Sequence, residues 1–96
     1  DPPELQLGRT LTNTVMTKLG GARTKFGRVC SVILKHVAPC LKWTGAQRSA
    51  AVRSCTDAIL NYHRAPQKLM QCVRRHKGTC RALSLCHRAY TRALQN

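Results

Sequence analysis

Apolar positions along the chain recur at three- and four-residue spacing, and alternation of apolar with polar ones never persists. That pattern predicts helices and no strand. Residues 1–8, with Pro2, Pro3 and Gly8, carry no periodicity and read as an extended arm. Leu11, Val15 and Leu19 predict a short helix from Thr10 to Leu19, ended by Gly20-Gly21. A second helix is predicted from Ala22 to Ala38. Phe26, Val29, Cys30, Ile33 and Val37 share its apolar face, Arg28 and Lys35 lie opposite, and Pro39 ends it. Thr44 and Gln47 carry the capping-box signature of a third helix. Its apolar face is Ala51, Val52, Cys55, Ala58, Ile59 and Tyr62, and Arg53 and Asp57 form a candidate weak ion pair on the far side. Pro66 suits the first turn of a fourth helix that runs to about Lys77, with Gly78 just beyond it and Leu69, Cys72, Val73 and His76 on one face. Thr79 is a candidate cap for a fifth helix from Cys80 to Leu94, with Leu83, Cys86, Tyr90 and Ala93 as its core stripe. The expected fold is all-α: a small four- to five-helix disulfide-stabilised bundle, one helical domain over residues 9–96 behind the arm.

A chain of 96 residues builds only a small core and needs additional support. Six cysteines supply it if they form a disulfide framework, which requires an oxidising compartment. Spacing constrains the pairing. Cys80 and Cys86, six apart in one predicted helix, project about 120° from one another and cannot bond. Folding the second and third helices back on each other brings Cys30 level with Cys55, and folding the fourth and fifth brings Cys72 level with Cys86. Cys40 and Cys80 remain, near two turns that an up-down bundle places at the same end. The expected bridges are Cys30–Cys55, Cys40–Cys80 and Cys72–Cys86. An alternative use is zinc binding by Cys72, His76 and Cys80, with His87 beside Cys86. The Cys-x-x-Cys pairs of most structural zinc sites are missing, so no metal and no cofactor is expected. The spacings Cys30-x9-Cys40 and Cys80-x5-Cys86 resemble those of the saposin-like group of helical cationic proteins, which includes lytic granule peptides. The opening Cys-x-x-Cys of that group is absent here, and Cys55 and Cys72 have no counterparts in it, so membership is not inferred.

Charge changes the picture from a generic bundle to a binding protein. Seventeen Lys and Arg face three acids, giving a formal net charge of +14. Asp1 and Glu4 lie in the arm, which leaves Asp57 as the only acid of the remaining chain. A surface that serves solubility alone mixes both signs. From Arg64 to Arg92 no acid occurs, while Arg64, Lys68, Arg74, Arg75, Lys77, Arg81, Arg88 and Arg92 do. These are the candidate polyanion-binding residues. Arg81, Arg88 and Arg92 fall within about 40° of one another on a helix. The Arg fork binds phosphate, sulfate and carboxylate in bidentate fashion.

Catalysis is not expected. Work by paired carboxylates needs two, and the body has one. His36, His63, His76 and His87 lack an orienting acid other than Asp57, and neither a glycine-rich phosphate loop nor a Gly-x-Ser-x-Gly elbow is present. The opening Asp1-Pro2-Pro3-Glu4 is read as a mature start with its targeting segment removed. No apolar run reaches the ~20 residues of a membrane span, so no transmembrane span is expected. The expectation is a secreted, extracellular cationic protein that binds anionic membrane lipid or a sulfated glycan such as heparin, with host defence by antimicrobial membrane binding as one outcome. The alternative is a toxin, cytokine-like ligand or secreted inhibitor that meets an acidic protein receptor. Nucleic acid is disfavoured, because Phe26, Trp43, Tyr62 and Tyr90 are the only aromatics and most fall on core faces. Trp43, in a turn, either covers the core or anchors at a membrane interface.

Overall fold

The computed structural model describes residues 21–96. The predicted arm over 1–8 and the predicted helix from Thr10 to Leu19 lie outside the described residues. Within them are four helices and no strand: α1 over 21–37, α2 (Gly45–Leu60), α3 (Ala65–Arg75) and α4 (Cys80–Gln95). The protein is a small all-α bundle held by three disulfides.

Sequence chemistry sets the ends of these helices. At the start of α2, the Gln47 amide donates to Thr44 Oγ1 at 3.1 Å and the Thr44 amide donates to Gln47 Oε1 at 2.8 Å, completing the predicted capping box. Pro66 stands in the first turn of α3, where its missing N–H costs nothing. The Ala65 amide donates to His63 Nδ1 at 3.0 Å, so His63 satisfies one of the open donors there. Thr79 is the N-cap of α4, but its side chain makes no capping bond, contrary to the sequence reading.

The C-terminal ends of α1 and α2 share one device. Trp43 N–H donates to the Ala38 carbonyl at 3.1 Å and Lys42 N–H to Pro39 at 3.2 Å, with Lys42 at φ 55°. His63 N–H donates to Ala58 at 2.9 Å and Tyr62 N–H to Ile59 at 3.0 Å, with Tyr62 at φ 58°. Both are Schellman closures with a left-handed residue that is not glycine. One sequence expectation holds and another changes. Helix α1 ends just before Pro39, as expected, and a turn carries the chain to its reversal at Lys42. Tyr62 is not on the apolar face of α2: the left-handed turn swings it outward, leaving it 94% exposed.

The core lies where all four helices meet. Cys30, Leu34 and Val37 come from α1, Cys55 from α2, Leu69 and Val73 from α3, and Leu83, Cys86 and Tyr90 from α4. Leu34 is fully buried though absent from the predicted stripe, while Val29, placed in it, is 38% exposed. His76, predicted to share the core face of Leu69, caps the C-terminal end of α3 and is exposed. Asp57 accepts from Arg23 of α1 at 2.7 Å, so the expected Arg53–Asp57 pair does not form.

The bridges are Cys30–Cys55, Cys40–Cys80 and Cys72–Cys86, with Cα–Cα separations of 5.9, 5.1 and 5.8 Å. They are the pairs that back-folded helices favour. No cysteine is free. Cys72 and Cys80 enter different bridges, which removes the thiolate set that the zinc alternative needs. Cys30 does not pair with Cys40, nor Cys80 with Cys86, so the saposin-like spacing does not reflect shared bridges.

Two expected outcomes follow. Full reduction adds six hydrogen masses and abolishes the helical circular dichroism signal, because each bridge contributes roughly 2–4 kcal/mol to a small core; free thiols in the native protein contradict the framework. Tyr62→Gly leaves stability unchanged or raises it by up to about 1 kcal/mol in a urea melt, since a non-glycine left-handed residue costs roughly 1–2 kcal/mol and glycine returns part of that as chain entropy. A clear loss of stability shows instead that the Tyr62 ring packs on something.

A basic surface on the α3–α4 hairpin and a groove beside it

All eight basic residues from Arg64 to Arg92 are exposed. Helix electrostatics account for some of them. Arg74 and Arg75 lie in the last turn of α3 and Arg92 in the last turn of α4, where positive charge meets the outward-facing carbonyls. Lys68 and Arg81 have no such explanation. They stand in the opening turns of α3 and α4, where the helix dipole disfavours cations, and neither first turn contains an acid. Asp57 is held by Arg23 across α1 and α2, and the only other acids in the sequence are Asp1 and Glu4.

The structure divides the eight residues into groups. Arg81, Arg88 and Arg92 project from the side of α4 opposite its buried Leu83, Cys86 and Tyr90. Leu85 stands among them, 56% exposed. Lys68 of α3 lies beside the seam with α4, where it lines a pocket of about 230 Å³ with Ala65, Ala89, Tyr90 and Ala93. Arg75 falls within about 20° of Lys68 on the helix. Arg74 and Lys77 turn the other way, toward α1.

There they border a groove. Its first part, about 510 Å³, is lined by Arg28, Val29, Val32, His36, Arg74 and Lys77, over a floor that includes Ile33, Met70 and Val73. A second part, about 360 Å³, continues past Phe26, Ile59, Tyr62, His63, Arg64 and Pro66. Val29, Ile33 and Met70 line both parts, which makes them one channel. Sequence reading missed Arg28, His36, Val32 and Met70 as site residues. The signal available was the width of the apolar stripe on α1, where Val32 widens the face beyond what one neighbouring helix covers.

At the far end of the bundle, Trp43 packs on the core and meets the His87 ring edge-on, with centroids 5.0 Å apart. His87 in turn lies 5.8 Å from the ring of Tyr90. Trp43 thus covers the core, the first of its two expected roles. Tyr90 Oη is buried with no hydrogen-bond partner, and burial raises the Tyr90 pKa above 10.0. Burial also lowers the His87 pKa below the ordinary 6.5, since the imidazolium loses solvation. Among the described residues, no three His, Cys, Asp or Glu side chains come together as a metal site.

Comparison with known protein families, with curated proteins and with solved structures finds none that matches this chain.

The His87 shift has a definite sign. The unfolded chain takes up its proton near pH 6.5, while the folded protein resists it to lower pH. Stability from this residue is therefore complete above 6.5 and is lost as pH falls from there through the lower folded pKa. Urea melts at about pH 7.5 and about pH 5 test this: the drop toward acid shrinks in His87→Gln. An equal drop in both proteins assigns the pH dependence to other groups.

Proposed function

We propose that the protein is a secreted cationic binder of anionic surfaces, either anionic membrane lipid or sulfated glycan, and that it acts by binding rather than catalysis. The observation that carries this reading is the exposed, acid-free set of cations on α3 and α4, with Lys68 and Arg81 standing where the helix dipoles oppose them. Folding gains nothing from these two charges, so an external anion is the better reason for them. Three disulfides fit an oxidising, extracellular setting, and no helix among the described residues is long and apolar enough to cross a membrane. Leu85, set among Arg81, Arg88 and Arg92, gives that face the mixed character that anionic bilayers attract. Host defence by membrane damage is one form this activity takes.

Leu85 also favours a second reading. An exposed apolar residue ringed by arginines suits a defined acidic protein target, as for a toxin, cytokine-like ligand or secreted inhibitor.

The test is retention on heparin and binding to anionic against neutral vesicles across a salt series. The expected result is binding to both anionic matrices that weakens steeply with salt, because each neutralised group releases counterions. Changing Arg81, Arg88 and Arg92 together to Gln lowers the salt needed for elution and leaves the helical spectrum intact. Leakage of anionic vesicles selects the membrane form, and tight heparin binding without leakage selects the glycan form. Failure to bind heparin, anionic lipid or DNA near physiological salt overturns the proposal in favour of a protein receptor.

A further inference from the structure

The groove between α1 and α3 has a composition different from the arginine face of α4. Its middle is apolar, built from Val29, Ile33 and Met70, with Val32 at its edge. Val29 and Val32 remain 38% and 62% exposed, an arrangement that leaves apolar surface in water and gains nothing within the folded chain. One end carries Arg28, Arg74 and Lys77, with His36 beside them and no acid among the described lining residues. The other end is lined by Phe26, Ile59, Tyr62 and Pro66, with the polar His63, Arg64 and Gln67 beside them. Tyr62 is held there by a left-handed backbone that costs stability.

We propose that this groove is a binding site for a monomeric, single-chain anionic amphiphile. Its headgroup lies among Arg28, Arg74 and Lys77, and its acyl chain runs over Val29, Ile33 and Met70 toward Phe26 and Tyr62. Charge complementarity sets the headgroup: three cations converge on one end of the groove, and no acid occurs among the described lining residues. Size sets the tail. The two parts, about 510 and 360 Å³, fall in the roughly 300–1,000 Å³ range of small-molecule sites. The α1 stretch from Phe26 to His36 spans about 15 Å at ~1.5 Å per residue, which suits one extended alkyl chain. The site goes beyond the surface binding proposed above: it shares Arg74 and Lys77 with that set of cations but none of Arg81, Arg88 and Arg92.

The experiment titrates laurate, below its micelle concentration, into the disulfide-intact full chain and follows calorimetry and amide chemical shifts. The expected result is saturable binding of one laurate per chain, with shifts at Val29, Val32, Met70 and Arg74. Laurate binds about tenfold or more tightly than dodecanol, and dodecyltrimethylammonium does not bind. Val32→Asp, at a largely exposed position, weakens laurate about tenfold or more without changing the helical spectrum. Arg74→Gln with Lys77→Gln removes the advantage of laurate over dodecanol while dodecanol binding persists. Leu85→Asp leaves laurate affinity unchanged. Non-saturable uptake of many laurates, equal affinity for the cationic amphiphile, or indifference to both groove variants overturns the proposal. Binding of an acidic amphipathic peptide at this groove, blocked by Val32→Asp, where laurate fails to bind, also overturns it and assigns the groove to a protein partner. The variant with Arg81, Arg88 and Arg92 all changed to Gln, measured alongside, loses heparin retention and keeps its laurate affinity, so the failure of either proposal is distinguishable from failure of the other.

Discussion

The bond between Cys40 and Cys80 is the one bridge that joins the two stapled hairpins of the bundle. Cys30–Cys55 closes α1 on α2, and Cys72–Cys86 closes α3 on α4, each within its own hairpin. Helix α3 packs more extensively against α4 than against α2. Cys40–Cys80 joins the turn after α1 to the start of α4 and so sets one hairpin against the other. The shared core of Leu34, Leu69 and Leu83 forms across that junction. The groove between α1 and α3 forms across it too, so both the core and the candidate ligand site span the junction that this bridge fixes covalently.

Charge explains why such a link is needed. A formal charge of +14 on a chain this small creates repulsion in any compact state. Asp57, paired with Arg23, offsets little of it, and an exposed pair is worth at most about 1 kcal/mol. The bridges act on the unfolded side instead, restricting the chain before it folds. That leaves the surface free to carry cations at positions that helix stability does not favour. Lys68 and Arg81 are the residues in which this conflict is visible.

Helix positions and disulfide pairs were legible because each follows from local rules: the Thr44–Gln47 box, Pro66 in a first turn, and half-turn arithmetic for the cysteines. What escaped depends on how chain ends turn and on which neighbour each face meets. Tyr62 continues the apolar register of α2 in sequence, yet the helix ends at Leu60 and a left-handed turn redirects it. Asp57 has Arg53 as a neighbour four residues back, but the contact that forms is with Arg23, 34 positions away, a relation no local spacing encodes. Leu34 and Val32 flank the predicted stripe of α1 on opposite sides, and only the packing of α2, α3 and α4 decides that Leu34 goes inside and Val32 stays out. The basic run from Arg64 to Arg92 was legible as charge, but its division between the α4 face and the groove was not. Arg74 and Arg75 are adjacent in sequence and about 100° apart around the helix.

The order of the three bridges has a topological result. The span from Cys30 to Cys55 overlaps that from Cys40 to Cys80, which in turn overlaps that from Cys72 to Cys86. Every peptide bond between Cys30 and Cys86 therefore lies inside at least one covalent loop. A protease that cuts once in this interval, after Lys42 or Arg64 for instance, leaves a nicked molecule whose two pieces stay joined. A chain so rich in exposed lysine and arginine offers many such cleavage points to trypsin-like enzymes. The interlaced bridges make the first cut there survivable, whereas Arg88 and Arg92, beyond the last cysteine, have no such safeguard and a single cut releases the end of α4.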